Sequence, residues 1–320
     1  MYVGRLAPSP TGALHLGNAR TFMIAYARAR QAGGRLIMRM EDLDHPKDKP
    51  GAAKAAIEDL KWLGFDWDEE YTQSERIELY RDAAKKLIEK GLLYPCVCSR
   101  KDVENAQSAP HAGEQLFYPG LCRGKFASWD EAEKAISPRK PCWRFKVAPN
   151  TCVSFVDNFA GPYSQEVDKV LGDFPVARDK DGAGYTLAVV VDDLAMGVTE
   201  VVRGDDLLPA TPAQMLIAKS LLQPSTFNLQ PSYCHVPLVV GPDGRRLAKR
   251  HGDTRIASYR ESGVSAEHLI GFLASSLGCA ENGEEISLET FAERFDLSKI
   301  DHSPCKIDFF DTRLAATSIV

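Results

Sequence analysis

No stretch of the 320 residues approaches the apolar run that a membrane-spanning helix needs. The amino-terminal residues lack the pattern of a secretory signal, so a cytoplasmic location is expected. Positive charge is also scarce. Lys and Arg number 39 against 44 Asp and Glu, a net charge of −5, so whole-molecule attraction does not advertise a polyanion partner. Local basic surfaces on acidic proteins still bind RNA, and only a uniformly basic binder is excluded. The eight cysteines are too few for a disulfide framework in so long a chain; reduced thiols with a metal site are expected instead. Internal repeats and low-complexity tracts are absent. The composition, 44% apolar and 26% charged, is that of a globular chain long enough for two or three domains.

The chemistry begins at the amino terminus. Val3 to Ala7 reads as a short strand, Pro8 and Pro10 force an extended turn, and a helical pattern opens near Gly17. A strand, a rigid loop and a helix in that order aim backbone N–H groups and a positive helix end at an anion. Gly12 and Gly17 remove side chains where a nucleotide could approach, and His15 stands between them as a donor. A second strand from Arg35 ends in Glu41, Asp42 and Asp44. Carboxylates at the carboxyl end of a strand in an open α/β sheet lie where ligands bind. Glu41 could meet a cationic amine there, while Asp42 or Asp44 could cap the turn before Pro46. Ala52 to Leu63 and Ser74 to Lys90 carry the spacing of amphipathic helices that cover a sheet.

At Cys96-Val-Cys98 the character changes. Tyr118-Pro-Gly-Leu-Cys122 follows after a polar stretch, and Zn²⁺ wants four ligands in a tetrahedron. Cys96, Cys98 and Cys122 supply three thiolates. The fourth ligand is open between Tyr118 and His111. The cysteines at 142, 152, 234, 279 and 305 show no ligand spacing and read as packing residues. Residues 143–147, 151–157 and those from Val167 onward alternate like strands, and Asp173 to Tyr185 reads as a strand, a turn at Asp181-Gly182 and a second strand. The apolar run from Thr186 to Asp193 suits a buried parallel strand. A further strand delivers Arg203 to its carboxyl end, where its fork could take a carboxylate or phosphate or else pair with Asp205 or Asp206. Thr211 and Pro212 open a helix as N-cap and N1. Arg245, Arg246, Lys249 and Arg250 then form a cationic loop, and the remainder from Asp253 is helical, closed by a capping segment at Pro304 to Phe310.

Two of these segments belong together. Arg5-Leu-Ala-Pro-Ser-Pro-Thr-Gly-Ala-Leu-His15-Leu-Gly17 resembles the HIGH-type signature of class I aminoacyl-tRNA synthetases in its glutamyl form. Arg246-Leu-Ala-Lys249-Arg250 resembles the KMSKS-type loop that pairs with it, Lys249 matching the second lysine. Arg246, Ala248 and Arg250 depart from that pattern. The resemblance implies an α/β fold, a Rossmann-like core in two halves (1–95 and 181–252). An insertion (96–180) carrying one structural zinc interrupts the core, and a short helical region (253–320) follows. It implies glutamate activation by ATP; Mg²⁺ with the nucleotide is expected on general chemistry, and no dedicated protein site for it can be read. His15 and Lys249 would be catalytic, joined at the ATP by Gly17 and Asn18. Arg5, Ser9, Glu41, Tyr185 and Arg203 would hold L-glutamate. Glutamyl synthetases continue into helical anticodon-binding domains, for which the roughly seventy residues after Lys249 leave no room. Together with the Cys-x-Cys and Tyr-x-x-x-Cys pattern, this favours the shortened paralogue of the branch. That enzyme activates glutamate without tRNA and attaches it to queuosine in the anticodon of tRNA(Asp). A monomer is expected. The alternatives are the catalytic part of an ordinary glutamyl synthetase charging tRNA(Glu), and a zinc-containing RNA-binding protein without catalysis.

Overall fold

The chain opens with a βαβ unit. The computed structural model describes residues 1–43, 50–105, 117–178, 180, 184–245 and 254–306. In it β1 (Val3–Leu6) leads through α1 (Leu16–Gln31) to β2 (Arg35–Met40), which pairs parallel with β1. Next come α2 (Ala52–Trp62), β3 (Glu69–Thr72), paired parallel with β2, a short 3-10 turn, and α3 (Ile77–Glu89). All four β1 residues are buried, as expected of a parallel strand covered on both faces. Leu16, Met23 and Ile24 of α1 are fully enclosed, and burial of each such side chain contributes about 1.5–3 kcal/mol. Even Arg20 of α1 is enclosed, its Nε donating to Ser276 Oγ at 3.1 Å and its Nη1 to the Pro237 carbonyl at 3.0 Å.

The middle of the chain builds a separate antiparallel sheet. After β4 (Leu93–Cys96), α4 (Arg100–Asn105) and α5 (Trp129–Ile136) comes β5 (Cys142–Phe145), which pairs with β4. A hairpin of β6 (Cys152–Asp157) and β7 (Gly161–Glu166) follows, then the helical turn α6 (Val167–Val170) and β8 (Phe174–Ala177), which completes the sheet in the order β4-β5-β8. The residues after Val167, expected to be extended, are therefore helical before the chain becomes strand again. The hairpin reaches back to the core, where Asn158 N–H donates to the Tyr233 carbonyl at 2.7 Å.

Residues from Thr186 to Asp193 lie in α7 (Tyr185–Ala195) and not in a parallel strand, and the second strand expected to end at Tyr185 is replaced by the start of this helix. An apolar run buried nearly all round shows no polar face, so its periodicity cannot separate a helix from a strand. The expected turn at Asp181-Gly182 lies outside the described residues. Next are β9 (Glu200–Gly204), α8 (Thr211–Leu221), β10 (Ser232–Val236), which pairs parallel with β9, and β11 (Val239–Val240). Thr211 is the first residue of α8 and not its cap, a place held by Ala210. The Thr199 N–H donates to the Val3 carbonyl at 2.9 Å, so β9 adjoins β1. β1-β2-β3 form a three-stranded sheet and β9-β10 a two-stranded one; their β1 and β9 edges meet, and that junction is the switch point where open α/β sheets bind ligands.

The last region holds α9 (Ile256–Glu261), α10 (Ala266–Ser275) and α11 (Leu288–Arg294), whose apolar faces join the core under α1. It also contains a strand, β12 (Cys305–Lys306), paired parallel with β11. Among the described residues no helix is long and apolar enough to cross a membrane.

Candidate active site and metal centre

A cavity of about 360 Å³ opens at the switch point, lined by Arg5, His15, Gly17, Asn18, Glu41, Tyr185 and Arg203 among others. His15 is the N-cap of α1. Its Nδ1 accepts from Asn18 N–H at 3.4 Å, and the Asn18 side chain accepts from His15 N–H at 3.3 Å, a reciprocal capping box. With Nδ1 accepting, the imidazole proton sits on Nε2, and burial lowers the pKa below the ordinary histidine value. A neutral donor therefore stands beside the positive end of a 16-residue helix that has no acidic side chain in its first turn. A Cβ on Gly17 would lie 3.2 Å from two atoms of the His15 ring, so the missing side chain is what lets the imidazole lie over the helix end.

Two buried guanidiniums stand at the β1–β9 junction. Arg5 donates from Nη1 to the Val202 carbonyl at 2.7 Å, while its buried Nε has no hydrogen-bond partner and lies 4.0 Å from Asp193 Oδ1. An unsatisfied buried donor costs about 1–3 kcal/mol, and a ligand oxygen would remove that cost. Arg203 donates from Nε to His235 Nε2 at 2.9 Å and from Nη2 to Thr211 Oγ1 at 2.7 Å. Glu41 follows β2, its Oε1 accepting from Arg39 Nη2 at 3.0 Å. Burial raises the Glu41 pKa, while Arg39 and Arg5 oppose that shift. Tyr185 starts α7 and is 42% exposed at the cavity. Ser9 is exposed and does not line the cavity. Asp42 caps Ser74, accepting from its N–H at 2.8 Å and its hydroxyl at 2.6 Å; Asp44 lies outside the described residues. So does Lys249. Beyond it, the Thr254 carbonyl accepts from Leu16 N–H at 3.0 Å and Ile256 N–H donates to the Leu14 carbonyl at 2.9 Å, which anchors the returning chain beside His15.

The second cluster lies in the insertion. Ligand atoms of Cys96, Cys98 and Cys122 all fall within 4.8 Å of one another. Cys98 and Cys122 sulfurs are 3.5 Å apart, and the Tyr118 hydroxyl lies 3.1 Å from Cys96 Sγ and 3.5 Å from Cys98 Sγ. Zn–S bonds of about 2.3 Å in a tetrahedron separate sulfurs by about 3.8 Å, so the donor set fits zinc after a small expansion. Arg144 lies with its guanidinium 3.7 Å from the centre of the Tyr118 ring and its Nε 3.2 Å from Cys96 Sγ, a cation placed to offset the negative charge of thiolate ligands. Burial and the neighbouring thiols raise the Tyr118 pKa, and the Cys122 thiol is pushed up to about 12, chiefly by its hydrogen bond with Cys96. A bound metal would have to displace those protons. His111 lies outside the described residues. Among the described residues this is the only group of three or more such ligands.

The family model for the catalytic domain of class I tRNA synthetases (E and Q) matches residues 2–311. The chain belongs to that family. The Glutamyl-Q tRNA(Asp) synthetase of Symbiobacterium thermophilum is 45% identical over 318 residues, an alignment covering 96% of each chain. The glutamate–tRNA ligase of Aquifex aeolicus is 42% identical over 305 residues, covering 94% of this chain and 63% of that protein. Among solved structures, a glutamate tRNA ligase from Elizabethkingia meningosepticum in complex with its amino acid aligns with a TM-score of 0.80 at 25% identity, covering 98% of this chain and 68% of that one.

This synthetase also has site residues that sequence reasoning missed. Arg39 is fully buried beneath the cavity, 2.7 Å from Asp193 Oδ1 and 3.0 Å from Glu41 Oε1. The available signal was a charged residue inside the apolar run of β2. His235 and Asp157, buried behind Arg203, each sit as a polar interruption at or near the end of a strand. Nothing in their spacing tied them to Arg203, because the contacts cross 32 and 78 positions of sequence.

Proposed function

We propose that the chain acts as a glutamyl-Q tRNA(Asp) synthetase, activating L-glutamate with ATP and passing the glutamyl group to queuosine in the anticodon of tRNA(Asp). The observation that carries the chemistry is the pair of buried guanidiniums, Arg5 and Arg203, at one cavity with Glu41 and the amino-terminal end of α1. The glutamyl-Q relative, aligned over 96% of its length, supports the choice of acceptor.

In the activation step a glutamate carboxylate oxygen bonds to the α-phosphorus of ATP, the bond to the β-phosphate bridge breaks, and pyrophosphate leaves. Arg5, Arg203 and Tyr185 hold the substrate carboxylates, Glu41 takes the amine, and Ser9 stands nearby. The His15 Nε2–H, the α1 N-terminus at Gly17 and Asn18, and Lys249 carry the nucleotide and the charge developing on its phosphates. In the transfer step an acceptor group of queuosine attacks the adenylate carbonyl and AMP leaves. Glutamine is rejected because its neutral amide leaves a guanidinium without a charged partner in a desolvated pocket. Cys96, Cys98 and Cys122, with Tyr118 or His111 as the fourth ligand, would hold a structural zinc that would shape the insertion meeting RNA, and Mg²⁺ would accompany ATP. We read the protein as a cytoplasmic monomer.

Glutamate-dependent ATP–pyrophosphate exchange without tRNA, followed by glutamylation of queuosine-containing tRNA(Asp) and of tRNA(Glu) side by side, tests this reading. Exchange without tRNA and label on tRNA(Asp) alone support it. Label on the 3′ end of tRNA(Glu) would instead make the chain an ordinary glutamyl synthetase, and absence of exchange would refute catalysis.

A further inference from the structure

Behind Arg203 lies a buried chain of hydrogen bonds that leads away from the cavity. Asp157, Thr211 and His235 are each less than 3% exposed. Asp157 Oδ1 accepts backbone N–H groups from His235 at 3.0 Å, Phe159 at 3.0 Å and Ala160 at 2.8 Å. Its Oδ2 lies 2.6 Å from His235 Nδ1. On the far side of the ring, Nε2 receives the Arg203 Nε–H at 2.9 Å, and Thr211 Oγ1 both accepts from Arg203 Nη2 at 2.7 Å and donates to the Leu207 carbonyl at 3.2 Å. Nε2 also lies 3.1 Å from Thr211 Oγ1, but a guanidinium has donors only, so with the Arg203 Nε–H aimed at it Nε2 is the bare nitrogen and the imidazole proton sits on Nδ1, facing Asp157.

We propose that Asp157, His235 and Thr211 are positioning residues for Arg203. The Asp157 carboxylate selects the Nδ1–H tautomer of His235, and His235 with Thr211 grips the Nε and Nη2 side of the guanidinium so that its Nη1 end is presented to the substrate carboxylate. The selection is geometric. The N–H groups of Phe159 and Ala160 hold Asp157 Oδ1, the His235 N–H is shared between Oδ1 at 3.0 Å and Oδ2 at 3.2 Å, and Oδ2 is the oxygen that faces Nδ1. His235 is faced by Asp157 from β6, by Arg203 from β9, by Arg5 from β1, by Thr211 from α8, and by Tyr233 of its own strand, whose ring centre is 6.0 Å away. With two guanidiniums on that side, an Nε2 proton would oppose like charge and point a donor at a donor. The proposal rests on Arg203 as a glutamate-binding residue.

The test is Asp157→Asn. The three backbone N–H groups hold the amide oxygen of the new side chain at the Oδ1 position. Its NH₂ therefore faces Nδ1, which must become the acceptor, and the ring proton moves to Nε2 against Arg203. This follows the logic by which an Asp to Asn change behind a catalytic histidine yields the wrong tautomer. Loss of a charge-assisted hydrogen bond should raise KM for glutamate about 10–100-fold, while KM for ATP stays within about twofold and the Glu over Gln preference narrows. Imidazole ¹⁵N shifts should report the tautomer exchange directly, independently of activity. Thr211→Val, which keeps the volume and removes the acceptor, should raise KM for glutamate in the same direction, and it serves if Asp157→Asn does not fold. His235→Gln, whose amide oxygen can reach the Nε2 position, should recover part of the affinity that His235→Leu loses. If Arg203→Lys weakens glutamate binding but Asp157→Asn and Thr211→Val leave KM unchanged, the positioning role is overturned and the functional reading stands. If Arg203→Lys itself leaves KM unchanged, or the parent protein shows no exchange, the functional reading falls and the proposal with it.

Discussion

Gly17→Ala separates what the amino-terminal motif does for stability from what it does for catalysis. Replacing glycine by alanine within a helix contributes about 1 kcal/mol. Against this, the new Cβ would stand 3.2 Å from His15 Cε1 and Nδ1 and 3.6 Å from Val239 Cβ, when comfortable carbon contacts begin near 3.5 Å. The imidazole must give by a few tenths of an ångström. Its Nδ1 bond to Asn18 N–H is already 3.4 Å long, so the shift sacrifices the cap, which costs about 1 kcal/mol. The two effects nearly cancel, and Tm should stay within about 3 °C of the parent. Catalysis has no such compensation. Displacing a positioned donor costs up to about 100-fold, so kcat for pyrophosphate exchange should fall about 10–100-fold. Thermal melts and exchange kinetics on the same preparation supply both numbers. A kcat within twofold of the parent would refute the idea that this glycine exists to seat the imidazole.

Gly172→Ala should strip the metal centre. Gly172 has φ of +60°, and a Cβ there would sit 2.0 Å from the Tyr118 carbonyl oxygen, in the segment where Tyr118 N–H donates to Leu171 at 3.0 Å and Asp173 N–H to Tyr118 at 3.2 Å. A loss of about 2–4 kcal/mol is expected from the left-handed backbone and the broken bonds. Bound zinc measured by mass spectrometry should fall below that of the parent; full zinc with an unchanged Tm would contradict the assignment of Tyr118. Asp193→Ala should cost about 3 kcal/mol or more in denaturant melts, because it removes a partner 2.7 Å from the fully buried Arg39. Stability should also fall with acidification. The pKa values of His15 and His235 are lowered in the fold, both chiefly by burial. The unfolded chain therefore binds protons near pH 6.5 that the fold refuses, and stability drops as pH falls from about 7 toward the lowered values. The carboxylates of Asp157 and Glu200 are held below their ordinary range although burial opposes it, by hydrogen bonds from His235 and Arg28 among others. Their contribution is lost only at lower pH, as it passes through those depressed values. A Tm series from pH 7 to 5.5 should slope downward, and His235→Gln should flatten it.

What the sequence by itself determined is local. Pro8, Pro10, His15 and Gly17 sit within ten residues, and their backbone limits and capping chemistry act over short range, so the loop and the α1 terminus could be read directly. The Cys96, Cys98 and Cys122 grouping was also legible from ligand type and spacing, while the fourth position stayed open between Tyr118 and His111. Helices α2 and α3 were legible from apolar spacing because each has one wet face, and α8 from Thr211-Pro212 at its start. The run of α7 was not, since enclosure on nearly all sides erases the polar face that distinguishes a period of 3.6 from one of 2. Only the tertiary structure decided what surrounds the Arg5 and Arg203 guanidiniums. Arg203 meets His235 because β9 and β10 are parallel neighbours in register, and His235 meets Asp157 because the β6–β7 hairpin folds back onto β10. Arg39 meets Asp193 across 154 positions. Buried charges must find partners wherever the packed chain offers them, and no rule of spacing encodes a contact that exists only after the sheets and helices have closed around it.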